Sequence, residues 1–331
     1  MTTELENAEL ILSKRPGADV SSEDFSLVRS PVGKPGPGQA LIRVDWLSMD
    51  TYLYQRTNSS VFGPALPIGT RIPGRGIGTV MAGELPAGTL VSGELGWQKY
   101  AIVDVSAVTP LERSSVPDTW HLSVLGAPGL TAWLGLNKLL QPSAGQTLLI
   151  SGAAGTVGSI AGQLATQLGL NVVGIAGGPE KCQWLKAHGF QSAIDRKSVT
   201  DWKQAIATAA PNGIDLYFDN AGGPILEAAI RNMNQRGRVL VCGHSSEYTM
   251  PAARLTGADL LYKGLTMYGF RLLDHVAHFK EARGTLAALA AQGKLYVEET
   301  IHAGLNAAPA AMDAMLKGQG LGRHLVKVHE A

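Results

Sequence analysis

The segment "TLLISGAAGTVGS", residues 147–159, runs from an apolar tetrad through a glycine turn into a small-residue helix. A strand, a turn and a helix in that order leave the opening helix amides as free donors at the positive end of the dipole. An anion is stabilised there. From Ala153 the turn reads A-A-G-T-V-G, the dinucleotide spacing with alanine in its first place. Gly155 lets a pyrophosphate approach the backbone, and Gly158 lets the helix pack on the strand. The plain alternative is a turn needed only for packing. The strand before it and the helix after it, within a βαβ unit, favour the nucleotide.

About 20 residues beyond such a turn, an NAD site carries Asp or Glu for the ribose hydroxyls. Here the second strand ends "NVVGIAGGPEK", with Gly177 and Gly178 in the acid's place. No carboxylate repels a 2′-phosphate there. Lys181 opens the next helix, and Arg196, in "IDRKS", reaches the same region. Two cations and no acid point to NADP(H), against which stand only Glu180 and the ordinary habit of lysines to be solvated.

Metal chemistry finds few candidates. Residues 1–120 contain neither Cys nor His, and zinc wants several converging N or S ligands. No metal is expected. His275 and His278, three apart on a helix, read as a surface pair. Cys182 and Cys242 are too distant in sequence for a disulfide framework or a CxxC site, which suits a reducing cytoplasm.

These residues need a scaffold. Residues 1–110 read as short β runs broken by Gly and Pro, a small barrel or sandwich. "LGAPGLTAWLGLNKLL", 125–140, reads as a helix. Strands and helices then alternate: strands near 147–151, 171–177, 192–196, 213–222 and 238–244, with helices near 157–168, 178–189, 199–210 and 224–234 between them. Such repetition builds a parallel sheet with helices on both faces. After a helix over 275–294, strand candidates "KLYVEETIHAG" and "RHLVKV" flank a helix at about 307–317. The expected fold is α/β, a Rossmann doubly wound parallel sheet inserted in a β-rich domain. The expected boundaries are 1–122 plus 294–331 for the β-rich substrate domain and 123–293 for the NADP(H)-binding domain.

Composition narrows the partners. Of 331 residues, 45% are hydrophobic and 17% charged, with a net charge of +1. That balance offers nothing to nucleic acid or an anionic membrane. No apolar run approaches ~18 residues, so no membrane span is expected, nor is a signal peptide read in "MTTELENAELILSKRPG".

Several motifs together resemble the medium-chain dehydrogenase/reductase superfamily. They are the β-rich head, the A-A-G-T-V-G turn, "DNAGG" at 219–223 and "GRVLVCGHSSEY" at 237–248. "SMDTYLYQR" (48–56), "GAPGLTAWLGL" and "GLNAAPAAMDAMLKGQGLGRHLVKV" resemble its zinc-independent, NADPH-dependent alkene reductases. The resemblance covers nearly the whole chain and implies a GroES-like β domain. It places Gly155, Thr156, Val157 and Gly158 at the pyrophosphate and Lys181 at the 2′-phosphate, with Arg196 where the family has a tyrosine. It places Asn220 beside the cofactor and Cys242, Gly243, His244, Ser245, Ser246 and Tyr248 around the nicotinamide ribose. Phe270, Arg271 and Leu272 flank the nicotinamide amide. Ser48 and the Arg75-Gly76 pair stand where zinc-dependent relatives carry ligands.

Departures from the pattern are Thr51, His244, Ser245, Thr249, Arg271 and Gly320, which make the pocket more polar. The resemblance implies hydride transfer to the β-carbon of a small enone or enal. The enolate would be met by a donor, Tyr248 first and Tyr52 second, with His244 a further candidate in the loop near the cofactor. Rival readings are a quinone oxidoreductase, a zinc-free alcohol dehydrogenase and a non-catalytic NADPH-binding protein. A homodimer paired through the strand near 264–269 is implied as well.

Overall fold

The computed structural model describes residues 5–17, 19–58, 64–112, 116–248 and 250–329; of Tyr248 only the backbone is described, and Thr249 lies outside this set. In chain order, the β-rich part opens with β1 (Glu6–Leu12), β2 (Phe25–Pro31), β3 (Gln39–Ser48), α1 (Thr51–Asn58), β4 (Arg75–Gly83), β5 (Leu90–Glu94), β6 (Tyr100–Asp104) and β7 (Val108–Pro110). The alternating part follows: α2 (Ala127–Leu134), β8 (Thr147–Ile150), α3 (Thr156–Gln167), β9 (Asn171–Ala176), α4 (Pro179–Ala187), β10 (Ser192–Asp195), α5 (Trp202–Ala209), β11 (Ile214–Asp219), α6 (Gly223–Asn232), β12 (Met233–Val241), α7 (Gly257–Leu261), β13 (Thr266–Gly269) and α8 (Phe279–Ala291). The chain closes with β14 (Glu299–Ala303), α9 (Ala308–Leu316) and β15 (Arg323–Lys327).

Two compact units result, Met1–Leu122 with Glu299–Ala331, and Ser123–Glu298. In the first, a seven-stranded sheet runs β14-β15-β3-β4-β5-β7, with β6 also on β3, and β1 and β2 pair separately. β15 lies antiparallel to β3, Leu325 opposite Ser48, so the C-terminal segment completes the sheet begun by the N-terminal one. Ile42, Val44, Leu47, Met49, Leu53, Trp97 and Met312 share its buried core. One expectation fails here. Residues 51–58 form a helix rather than continuing the β pattern. The stretch is rich in Thr and Tyr, which favour strands, but Leu53, Gln55 and Thr57 are buried. Packing of that face outweighs local preference.

The second unit is a six-stranded sheet in the order β10-β9-β8-β11-β12-β13, every neighbouring pair parallel. Counted within the unit, the order is 3-2-1-4-5-6, the doubly wound arrangement with its switch point between the first and fourth strands. Central strands read as unbroken apolar runs because helices cover both faces; β8 is buried at all four positions, Thr147–Ile150. The helix after residue 125 ends as α at Leu134 and continues as a π turn to Leu140, stopped by Gln141 at φ 45°. The helix expected over 275–294 is α only from Phe279 to Ala291, and residues 272–278 wind as 3-10. The strand expected from residue 294 begins at Glu299, because the Tyr296 backbone is held by both ends of the Gln163 amide, at 2.7 and 2.8 Å.

A small residue lets α3 lie directly against Phe190. A Cβ on Gly162 would fall inside the Phe190 ring, which is only 3% exposed. Gly→Ala inside a helix otherwise gains about 1 kcal/mol, and overpacking a core costs about 1–3 kcal/mol. The clash is the larger effect here, so Gly162→Ala is expected to lower the melting temperature in calorimetry, whereas helix propensity alone would raise it.

Candidate functional site

The glycine turn follows β8 directly. Gly152 takes the left-handed conformation, φ +60°. Ala153 is fully buried, and its amide donates to the Ile175 carbonyl at 2.9 Å. The left-handed residue is thus one place earlier than the motif's first position, which explains why alanine fits there. A Cβ on Gly158 would lie 2.5 Å from the Gly152 carbonyl oxygen, so this glycine is obligatory. No side chain caps α3 at Gly155. Its opening amides, from Thr156, Val157 and Gly158, stand at the positive helix end and suit a pyrophosphate.

Beside this turn, at the carboxyl end of β9, three cations gather on a bare backbone. The Arg196 Nε atom lies 2.8 Å from where a Gly177 Cβ would be, and the Lys197 ammonium 4.0 Å from that of Gly178. Lys181 is half-buried, and burial first, then Arg196 and Lys197, lowers its pKa. Lys181 and Arg196 were expected in this place. Lys197 was not singled out, although it follows Arg196 directly.

At the switch point, Asp219 gathers four donors. Its Oδ1 accepts from Ser151 Oγ (2.8 Å), Tyr217 Oη (2.6 Å), and the Ala221 and Gly222 amides (both 3.0 Å). Burial raises both the Asp219 carboxyl and the Tyr217 phenol. Asn220 Nδ2 donates to the Ser151 carbonyl at 2.8 Å, which places Asn220 beside the glycine turn. The Asp219 carbonyl accepts from the Cys242 and Gly243 amides at 2.8 and 3.0 Å. Ser245 and Ser246 hydroxyls then donate to the carbonyls of Asn220 and Ala221, at 3.0 and 2.7 Å. The loop at 242–246 is thereby joined to the end of β11.

Burial and the Asp219 charge push the Cys242 thiol up to about 12, so it stays a thiol and is no nucleophile. His244 approaches Glu247 at 3.9 Å, and Glu247 Oε1 caps α6 through the Gly223 amide at 3.0 Å. Phe270 follows the edge strand β13 and donates its amide to the Val241 carbonyl at 3.0 Å. The Arg271 side chain is 81% exposed and stands 4.0 Å from Asp274 rather than turning inward. Leu272 opens the 3-10 turn.

In the other unit, Ser48 Oγ lies within hydrogen-bonding distance of Asp50 Oδ2 (2.9 Å) and the Arg75 carbonyl (3.2 Å). Arg323, 7% exposed, pairs with Asp50 at 2.8 Å and donates to the Met49 carbonyl at 3.1 Å. This buried pair holds the entry to α1, which carries Tyr52. Burial, then Asp50 and Glu94, raise the Tyr52 phenol far above its ordinary value.

Chemically these are a nucleotide-binding switch point in one unit and a polar, charge-buttressed helix entry in the other, the parts of a two-domain oxidoreductase. Residues 156–291 match the zinc-binding dehydrogenase family, and residues 8–111 match the N-terminal domain of oxidoreductase. The NADPH-dependent curcumin reductase of Escherichia coli (strain K12) is 32% identical, over 97% of each chain. The NADP(+)-dependent 2-alkenal reductase of Nicotiana tabacum is 31% identical, over 99% of each. The crystal structure of CurA in complex with NADPH from Vibrio vulnificus superposes with a TM-score of 0.91 at 32% identity, covering 98% of this chain and all of that one. The chain belongs to the medium-chain dehydrogenase/reductase family, in its alkene-reductase branch.

The family description names zinc, and the residues here do not fit it. Ser48 offers a hydroxyl already engaged by Asp50 and the Arg75 carbonyl. Among the described residues no group of three or more His, Cys, Asp or Glu could hold a metal ion. That donor set is not one zinc selects.

Glu299, at the start of β14, accepts from Thr119 Oγ1 at 3.1 Å, while its Oε1 is buried without a partner among the described residues. Burial raises its pKa, with Thr119 and Arg323 opposing. A raised carboxyl holds its proton more tightly folded than unfolded, so stability falls as pH climbs above the ordinary carboxylate range. Glu299→Gln removes that cost. Urea denaturation is expected to show Glu299→Gln more stable than the parent at neutral pH, with the gain shrinking toward about pH 4.

Proposed function

We propose that the protein is an NADPH-dependent reductase of the carbon–carbon double bond of α,β-unsaturated ketones and aldehydes. The observation that carries its cofactor is the cationic seat at Gly177 and Gly178, two glycines where an NAD site carries its acid, beside an uncapped glycine turn. That seat suits NADP(H), and relatives of similar length carry NADPH-dependent curcumin and 2-alkenal reductase activities. Ser123–Glu298 serves as the cofactor domain, and the β-rich unit serves the substrate.

In this reading Thr156, Val157 and Gly158 amides hold the pyrophosphate, and Lys181 with Arg196 holds the 2′-phosphate. Asn220, the loop from Cys242 to Tyr248 and the segment Phe270–Leu272 receive the nicotinamide half. When bound, NADPH supplies a hydride to the substrate's β-carbon. Negative charge would then gather on the carbonyl oxygen, where a hydrogen-bond donor lowers the barrier, and a proton from a side chain or water would complete the reduction at the α-carbon. Tyr248 is assigned that donor, directly or through the ribose hydroxyl. Tyr52 is the second donor; its raised phenol stays protonated at every physiological pH, so it donates and never acts as a base.

The dimer is assigned to the edge strand β13, which pairs only with β12 among the described strands and exposes Tyr268. No described helix is long and apolar enough to cross a membrane, and the cytoplasm is the compartment proposed.

NADPH and NADH oxidation should be followed with an enone, an enal and a quinone, with alcohols plus NADP as the reverse arm. Fastest turnover is expected with NADPH and an enone or enal; faster quinone turnover, alcohol-driven NADP reduction, or no turnover replaces the reading. Tyr248→Phe is expected to slow single-turnover hydride transfer by about tenfold or more, and an unchanged rate removes it as donor. Sedimentation velocity is expected to give a dimer, which a monomer at micromolar concentration would refute.

A further inference from the structure

On charge alone, Asp195 is misplaced. It directly precedes Arg196, and a carboxylate at the edge of a phosphate seat repels the phosphate. Its hydrogen bonds give it another task. The single oxygen Oδ1 accepts from the Gly178 amide at 2.6 Å and from the Lys197 amide at 2.9 Å. Those two bonds hold its carboxyl below the usual carboxylate range. Gly178 ends the β9 side, and Lys197 belongs to the turn after β10. One oxygen therefore joins two neighbouring strand ends.

The rest of the turn is bonded to match. The Arg196 amide donates to the Ala176 carbonyl at 2.8 Å. Ser198 gives both its amide and its hydroxyl to the Asp195 carbonyl, at 3.0 and 2.9 Å. With the turn held so, Arg196 lies against the bare Gly177 backbone and Lys197 stands over Gly178. Gly178 itself is at φ +100°, where other residues are strained, so this wall cannot easily acquire a side chain.

We infer that Asp195 is a positioning residue for selection of the adenosine 2′-phosphate, holding Arg196 and Lys197 against the glycine pair, and that Lys197 is the third cation of the seat. The inference rests on the NADP(H) site proposed above. The group selected is a phosphate monoester dianion on a ribose. The opposite role for an acid here, accepting from ribose hydroxyls, would favour NAD(H). The bonds of Oδ1 to two backbone amides speak against it.

Charge and positioning predict opposite signs, which makes the test sharp. Calorimetric titration of the full chain with 2′,5′-ADP and with 5′-AMP reads the seat without turnover. Asp195→Ala is expected to weaken 2′,5′-ADP about fivefold or more while 5′-AMP stays within about twofold. Asp195→Asn keeps an oxygen able to accept both amides and loses the charge, so it is expected to bind 2′,5′-ADP at least as tightly as the parent. Lys197→Ala is expected to weaken 2′,5′-ADP about fivefold and to flatten its salt dependence. Unchanged or tighter 2′,5′-ADP binding by Asp195→Ala overturns the positioning role, as does equal weakening of 5′-AMP. Unchanged binding by Lys197→Ala overturns the third cation. Lys181→Ala separates the levels. If it weakens 2′,5′-ADP while Asp195→Ala does not, only the role of Asp195 falls. If neither does, the NADP(H) seat itself is misplaced.

Discussion

A carboxylate taken out of water must be fully hydrogen-bonded or give up its charge. Asp219 is completely buried at the centre of the parallel sheet, and that requirement organises the ends of three strands. Its side chain takes Ser151 from the end of β8, Tyr217 from its own strand and two amides of the turn that follows. Its carbonyl takes the two amides that open the loop after β12. The glycine turn, Asn220 and the 242–246 loop therefore share one set of bonds. Because each partner is itself buried or tied to backbone, the cluster leaves little freedom for one loop to move without the others.

The cationic seat works by a different balance. Arg196 and Lys197 are solvent-exposed, where a pairwise charge interaction is weak. Their effect depends on three positive groups standing together over two residues without side chains. Burial first, then repulsion from Arg196 and Lys197, lowers the Lys181 pKa, and a bound dianion would offset the repulsion. Geometry makes weak charges count, and geometry there depends on backbone hydrogen bonds made by Asp195.

Much of this was legible in residue order. The run of apolar strands, small-residue helices and glycine turns specifies a doubly wound sheet, because both periodicities are local and each follows from burial on two faces. The glycine pair at 177–178 in the place of an acid follows from spacing along one βαβ unit, whereas Ser48 and Arg75 stand out only through the resemblance to zinc-dependent relatives. Other features were hidden. The α1 helix contradicts the strand preference of "TYLYQRTN" and exists because Leu53 meets a core contributed partly by Met312, far along the chain. Glu247 gives no sign in sequence that it caps α6. Arg271, aligned with a segment flanking the nicotinamide, turns out to be exposed beside Asp274.

Residue order alone therefore decided the fold class, the nucleotide turn and the sign of charge expected at the ribose, since these depend on side-chain size, spacing and charge along a single βαβ unit. Folding decided which long-range bonds hold them. Asp195 reads in sequence as an acid beside two cations, which argues against a phosphate. In three dimensions its oxygen binds two amides from adjoining strand ends and argues for one. The pattern of strands and helices sets β9 beside β10; only the folded backbone decides that the Asp195 oxygen meets the Gly178 and Lys197 amides at their ends.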